Sequence, residues 1–270
     1  GLSAAWQLSR DGYEVALYEA GSYFGGHTNT VDVEIDGKCF GVDTGFLVFN
    51  HRTYPNLVRL FEQLQVHTSA SDMSFAVKMP IAAGANSRTL EWAGSNLDTV
   101  FAQRRNLLSP RFWRMLRDIL RFNRQTTELA LSTGAMDEIP LGDFLDANQY
   151  SAEFRDWYLL PMAGCIWSCP TEQMLAFPLA TFVRFCHNHG LIQVNDRPQW
   201  HTVTGGACHY VNKMLDTIAQ RYLNTAVTGI RRIPLGASYQ VRVESARGVQ
   251  LYDHVVLATH SDQSLGLLHD

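Results

Sequence analysis

Apolar residues recur at helical spacing at the start of the chain, where Leu2, Ala5, Trp6 and Leu8 lead to Gly12, a residue that stops helices. The run Tyr13 to Glu19 has buried-strand character and ends in an acid. Gly21, Gly25 and Gly26 mark a loop, after which Thr30 to Ile35 alternates and Asp36-Gly37 turns the chain into Lys38 to Val42, a hairpin. Asn50 to Pro55 opens a helix with an apolar stripe of Leu57, Leu60, Phe61 and Leu64. From Ser71 to Trp92 the pattern is strand-like, interrupted by a Gly-rich stretch at Ala82 to Asn86. Residues 95–189 read as mostly helical, with candidates at Asn96 to Arg105, Pro110 to Leu131, Leu141 to Ala147, Ala152 to Leu160 and Leu179 to His189. After Thr204 the α/β texture returns: a Gly205-Gly206 turn, a helix from Tyr210 to Arg221, short strands near Val227, Tyr239 to Glu244 and Val249 to Tyr252, and an apolar strand from His254 to Ala258. The pattern divides the chain into residues 1–70, a helical lobe over 71–200, and residues 201–270.

Composition narrows the class. With 270 residues, 46% hydrophobic and 18% charged, the chain can bury one large core or two modest ones, which excludes disorder as its main state. Twenty-two Lys plus Arg against 26 Asp plus Glu leave a formal charge of -4, so there is no bulk basic field to gather nucleic acid. The longest apolar run, Leu159 to Trp167, contains Pro161 and is about half of a bilayer span. Five scattered cysteines, an odd number, fit a reducing compartment and read as cytoplasmic.

A helix that begins on Gly1 and a strand that ends on Glu19 form the second half of a dinucleotide-binding βαβ unit, with the acid placed for ribose hydroxyls and the helix N-terminus for a pyrophosphate. Gly1 then stands as the third glycine of GxGxxG, and without the first two the pattern equally fits an ordinary helix-strand pair. The continuation separates the two readings. Glu19-Ala20 followed by Gly25-Gly26-His27-Thr28, then Asp43-Thr44-Gly45-Phe46, then Val203-Thr204-Gly205-Gly206, and finally Asp253 to Thr259 resembles, in order, the flavin-dependent amine oxidase superfamily, which includes protoporphyrinogen oxidases and carotenoid desaturases.

The resemblance spans essentially the whole chain. It implies an α/β fold: a Rossmann-like, glutathione-reductase-type FAD-binding domain interrupted by a largely helical substrate lobe. It also implies an oxidoreductase passing hydride equivalents from a C–H bond of an amine or a hydrophobic, lipid-like small molecule to FAD. Implied cofactor-binding residues are Gly1 and Glu19, the loop Gly25, Gly26 and His27, the flavin-side segment Asp43, Thr44, Gly45 and Phe46, the re-entrant turn Gly205 and Gly206, and Val227 near adenine. The family's arginine two residues before the glycine pair is replaced here by Tyr23. No general base is implied, and the oligomeric state is left open. A chain opening at Gly1 and ending at Asp270 is expected to be a fragment lacking complete sites and inactive alone. The alternative class is a non-catalytic nucleotide-binding or interaction module that retains the flavin fold.

Three other features have a sharp and a plain reading. Arg111, Arg114, Arg117, Arg121 and Arg124 share one arc of a helical wheel over 110–124, which suits peripheral contact with an anionic membrane. The plain and favoured reading is a helix packed on its own lobe with a solvated Arg face. Cys186-His187-Asn188-His189 and the Cys165/Cys169 pair match no closed metal pattern, so no metal is expected. Tyr158, Trp167 and Trp200 could line an apolar pocket, although aromatics in a helical lobe are more often core.

Overall fold

A computed structural model describes residues 1–81, 88–132, 138–193, 197–236 and 238–268. The Gly-rich interruption expected at Ala82 to Asn86 lies outside the described residues. The first helix, Leu2–Arg10, buries Ala5 and Trp6 on one face. It stops in a Schellman motif: Gly12 N–H donates to Ser9 O, Tyr13 N–H donates to Leu8 O, and Gly12 has φ 89°. The strand Ala16–Tyr18 follows and pairs in parallel with Gln220–Tyr222. Thr30–Ile35 and Lys38–Asp43 form an antiparallel hairpin whose turn residues, Asp36 and Gly37, both have positive φ, as a type I′ turn requires.

By contact density the chain divides into two units. One comprises Gly1–Phe49, Tyr54–Ala70 and His201–Asp270; the other comprises Asn50–Thr53 and Ser71–Trp200. In the first unit, Trp6, Phe49, Phe61, Val203, Tyr210 and Met214 build a core around the helices Pro55–Gln63 and Cys208–Leu215. A separate antiparallel sheet, Val227–Leu235, Ser238–Ser245 and Gly248–Tyr252, carries its own small core of Ile230, Val241 and Val243.

Two expectations for this unit are corrected. The helix from Tyr210 to Arg221 ends at Leu215, because residues 220–222 pair with 16–18 and the Arg221 guanidinium donates to Leu215 O at the helix end. Residues 254–258 do not form a ladder strand. Val255 and Leu257 instead pack on the Ile230 core, while Val256 faces solvent.

The second unit is mostly helical. Its longest helix, Pro110–Leu131, starts with Pro at N1 and a Ser109 hydroxyl that accepts the Phe112 N–H, and it buries Phe112, Met115 and Phe122. The helix expected over Asn96 to Arg105 is two short pieces, Leu97–Val100 with an Asn96 capping box and a 3-10 turn Arg104–Leu108. The run from Ala152 extends past Leu160 to Trp167 and widens into a π turn at Arg155–Leu159. Pro161 has no N–H to donate to Trp157, and its ring would crowd that carbonyl, so the turn just before it opens. Tyr158 and Trp167 belong to the hydrophobic cluster of this unit.

The arginine row is mostly exposed to solvent, with Arg121 half-buried, and several of its guanidinium groups meet acids of its own unit. Arg111 Nε lies 2.6 Å and Arg114 Nη1 3.5 Å from the carboxylate of Glu153, which is only 7% exposed. Arg121 and Arg117 face the buried Asp118 at 3.4 and 3.7 Å, and the Arg121 guanidinium lies 3.9 Å from the centre of the Tyr150 ring. The exposed side of the helix carries Trp113, Leu120 and Leu131 as well. No helix among the described residues is long and apolar enough to cross a membrane.

Candidate functional site

The two-residue turn at Asp36-Gly37 fixes the hairpin register and sets Thr30 directly across from Asp43. The Thr30 hydroxyl donates to Asp43 Oδ1 (2.6 Å). Both then serve the start of the helix Cys208–Leu215: Ala207 N–H donates to Asp43 Oδ1 (2.9 Å), and Cys208 N–H donates to Thr30 Oγ1 (2.9 Å). Thus a carboxylate and a hydroxyl from one hairpin satisfy two otherwise orphan amides at a helix N-terminus, where the dipole favours negative charge. Thr30 and Gly41 were not among the expected site residues, although the Thr30–Asp43 pairing can be counted from the turn.

The loop at Gly25, Gly26 and His27 is stitched to the segment Asp43–Phe46 by backbone bonds. Thr44 N–H donates to Asn29 O (2.9 Å), and Phe46 N–H donates to His27 O (3.0 Å). A Cβ at Gly45 would stand 2.0 Å from His27 O, so this crossing admits no side chain. The same closeness recurs where Gly41 passes Gly205 O, at 2.5 Å from a would-be Cβ, and where Gly206 passes the Thr30 methyl, also at 2.5 Å. Gly25, at φ 118°, has Thr28 O 2.7 Å from the Cβ position, whereas Gly26, at φ 57°, faces open space. Thr28 and Tyr210 share a hydroxyl–hydroxyl bond of 3.0 Å beneath the loop. Burial first, and the nearby Asp43 charge, push the Tyr210 hydroxyl above its ordinary value against the opposing Thr28 bond, so it stays protonated.

The remaining expected residues lie in two places. At the end of the parallel pair, the Glu19 carboxylate accepts the Gly21 N–H through Oε1 (2.8 Å) and remains partly exposed. The Glu19 backbone bonds both Tyr222 O and Thr225 N–H, which ties it to the segment leading into Val227. Val227 itself pairs with Ser245 and packs on the Ile230 core. Gly1 begins its helix with no side-chain cap, and a Cβ there would meet Ala258 at 2.9 Å. Two residues on, the His260 ring stacks on His27 with centroids 6.0 Å apart, so the stretch 258–260 joins Gly1 to the glycine loop.

The other side chains singled out in the sequence are placed as follows. Among the described residues no group of three His, Cys, Asp or Glu is placed to hold a metal. Cys186 is buried, and burial pushes its thiol up to about 12, while the His189 ring stacks on Phe185 at 4.1 Å. Tyr23 is exposed at the position where a family arginine was expected.

Comparison with known proteins agrees with the fold. Putrescine oxidase in its wild-type form bound to putrescine superposes with a TM-score of 0.65 at 19% identity, covering 96% of this chain and 55% of that one. A CLA-producing fatty acid isomerase from P. acnes superposes at 0.59 with 12% identity, covering 100% of this chain and 58% of the other. An oxidoreductase from Methanosarcina mazei gives 0.55 at 14% identity, with 99% and 58% covered. The chain therefore spans little more than half the length of these solved structures. No curated protein matches it. The sequence profile described as flavin containing amine oxidoreductase matches residues 1–267, and the chain belongs to that flavoprotein family.

Proposed function

We propose that this chain carries the FAD-binding part and the substrate lobe of an FAD-dependent oxidoreductase that removes a hydride equivalent from a C–H bond of an amine or a hydrophobic, lipid-like small molecule. The observation that carries the reading is the pairing of an uncapped helix start at Gly1 with a partly exposed Glu19 carboxylate at the end of the parallel pair. One is suited to a pyrophosphate and the other to ribose hydroxyls, the arrangement of a Rossmann-like domain.

In this reading Glu19 holds ribose through the oxygen that does not accept the Gly21 N–H, and the first-turn amides after Gly1 face the pyrophosphate. Gly26 and His27 line its approach, and Val227 lies by adenine. Gly25, Gly45, Gly205 and Gly206 shape the surrounding backbone. Thr44 and Phe46 border the flavin ring through their backbone, since the Asp43 carboxylate is taken up by the helix at Cys208. Bound FAD supplies the two-electron acceptor, and the protein binds, orients and excludes water. Helix-start amides take the place of the arginine replaced by Tyr23 as the favourable field for phosphate.

The substrate alternatives follow from the neighbours, one bound to putrescine and one named for a fatty acid. Arg111 and Arg114 are engaged by Glu153, which leaves membrane contact to a narrower exposed strip of Trp113, Arg117, Leu120 and Arg124, for which binding to anionic vesicles at low but not high salt is the test. A reducing, cytoplasmic setting suits five unpaired thiols.

Taken alone, the 270-residue chain is expected to bind FAD weakly and not to turn over. Titration followed by flavin fluorescence tests the site: saturable binding that Glu19→Gln weakens supports it, and identical titrations of the two proteins overturn it. Stoichiometric flavin in the purified chain would refute weak binding. Anaerobic bleaching of added FAD by amines or by acyl chains would assign the substrate class, and a protein that takes up no flavin at any concentration would favour the non-catalytic module.

A further inference from the structure

Two histidines from distant parts of the chain meet beside the start of the first helix. His27 belongs to the glycine loop, and His260 closes the stretch in which Ala258 lies against Gly1. Their ring centroids are 6.0 Å apart and their planes are inclined by 26°, a stacked arrangement. Neither ring makes a hydrogen bond or an ion pair with any described residue, so no described carboxylate sits against the pair.

The titratable groups on the surrounding elements leave the pair to itself. Asp43 accepts the Ala207 N–H and the Thr30 hydroxyl, and Tyr210 shares its hydroxyl bond with Thr28. The His209 ring faces Gly205, with Nε2 2.9 Å from the Cβ position there. Asp262, in the first turn of the helix Ser261–Leu267, makes no ion pair with either ring, and the Gly1 amine is a further positive group at the helix start. While no anion is present, the positive end of the first helix and the neighbouring imidazole both disfavour a proton on either histidine. A diphosphate, with two negative charges, reverses both effects.

We propose that His27 and His260 hold the diphosphate of FAD as a pair, and that the chain takes up a proton on them when the cofactor binds. This rests on the flavin reading above, and it adds His260 and a proton to that site. One proton passes from solvent to an imidazole nitrogen, and no covalent bond of the cofactor forms or breaks. The pair thereby supplies a positive charge where Tyr23 replaces an arginine, but one that is present only when the proton is. Affinity should therefore be full at low pH and fall as pH rises through the imidazole range, whereas a fixed arginine charge would give no such dependence.

FAD is the probe, titrated by flavin fluorescence into the 270-residue chain from about pH 5.5 to about pH 7.5, where its diphosphate keeps both charges and imidazoles titrate. The dissociation constant should rise about fivefold across that window, the change expected of one imidazole that holds its proton about one pH unit higher in the complex. His27→Gln and His260→Gln should each flatten the dependence, and the Gly1 amine, common to all three proteins, should not restore it. NMR of the histidine rings in the wild-type chain gives the same readout without relying on a variant: the two resonances assigned to His27 and His260 should stay protonated to higher pH with FAD than without it. A constant that does not change with pH, a dependence kept in either variant, or ring titrations unmoved by FAD would overturn the proposal and leave the flavin site standing on its Glu19→Gln response. No saturable binding at any pH, or binding that Glu19→Gln does not weaken, would overturn the flavin reading and the proposal with it.

Discussion

Removing the Asp43 carboxylate tests whether that group is a helix cap or a cofactor contact. Asp43→Ala takes away a charged acceptor from Ala207 N–H and the partner of the Thr30 hydroxyl. A hydrogen bond to a charged group is worth about 1.5–3 kcal/mol, and the favourable placement of a carboxylate at a helix start adds about 0.3–1 kcal/mol. Asp43 is partly exposed, which draws the total toward the lower end, about 2 kcal/mol. Thr30→Val keeps the side-chain shape and leaves Cys208 N–H without its acceptor, a loss of about 1 kcal/mol. Since the two side chains form one network, the double variant should lose less than the sum by about 0.5–1 kcal/mol.

Urea unfolding of the flavin-free chain, with the midpoint compared across the four proteins, measures all of this. Asp43→Ala should lower the midpoint by about 1 M, given a slope of about 2 kcal/mol per molar. A change below about 0.5 kcal/mol in the absence of flavin, or full additivity of the two substitutions, would refute the capping network.

Gly45→Ala should cost about 3 kcal/mol, because the added Cβ meets a backbone carbonyl that is itself holding Phe46 N–H, and Gly26→Ala, at a left-handed but open position, only about 1 kcal/mol. Equal losses in urea would refute the crossing. For Glu153, burial raises the carboxyl, but the Arg111 bond and the Arg111 and Arg114 charges more than offset it and hold the group below its ordinary value of 4.5. A depressed carboxylate contributes stability above its unfolded value and loses it as pH falls through the folded one. Unfolding measured from neutral pH to below that ordinary value should therefore slope less in Glu153→Gln than in the wild type, and parallel slopes would contradict the pairing. Thiol labelling of the folded protein should reach the exposed Cys39 and Cys165 and spare the buried Cys186 until unfolding; early modification of Cys186 would place it wrongly in the core.

Where the determinants of an element are local, the sequence is sufficient. Asp36-Gly37 specifies both the hairpin and its register, and Ser109-Pro110 followed by apolar spacing marks Pro110–Leu131. Pairing across the chain is a different matter. Gln220-Arg221-Tyr222 has no alternation of its own and becomes a strand only because Ala16–Tyr18 lies beside it, whereas the run 254–258, with Val255 and Val256 at its centre, has strand propensity but no ladder. The arginines of 111–124 read as a solvent face and are mostly exposed, but nothing local announces that Glu153, some forty residues later, is folded against Arg111 and Arg114. Gly25 and Gly45 stand out in the sequence because backbone crowding at those positions leaves no room for a side chain. The work of Asp43 is not legible in the sequence, because its acceptor role depends on an amide 164 residues away.

The crossing of Gly45 over the His27 carbonyl also bears on how this protein could be altered. The loop and the segment Asp43–Phe46 hold each other through main-chain atoms, and the hairpin holds the re-entrant turn through the Thr30 and Asp43 side chains, so the geometry is intolerant of change at the glycine crossings and at those two side chains. If the loop holds FAD as proposed, rewriting it to change nucleotide preference would disturb these crossings. The adjustable positions are Glu19, with one oxygen engaged by Gly21, and exposed side chains such as Tyr23, which can be varied singly, without rebuilding the loop around them.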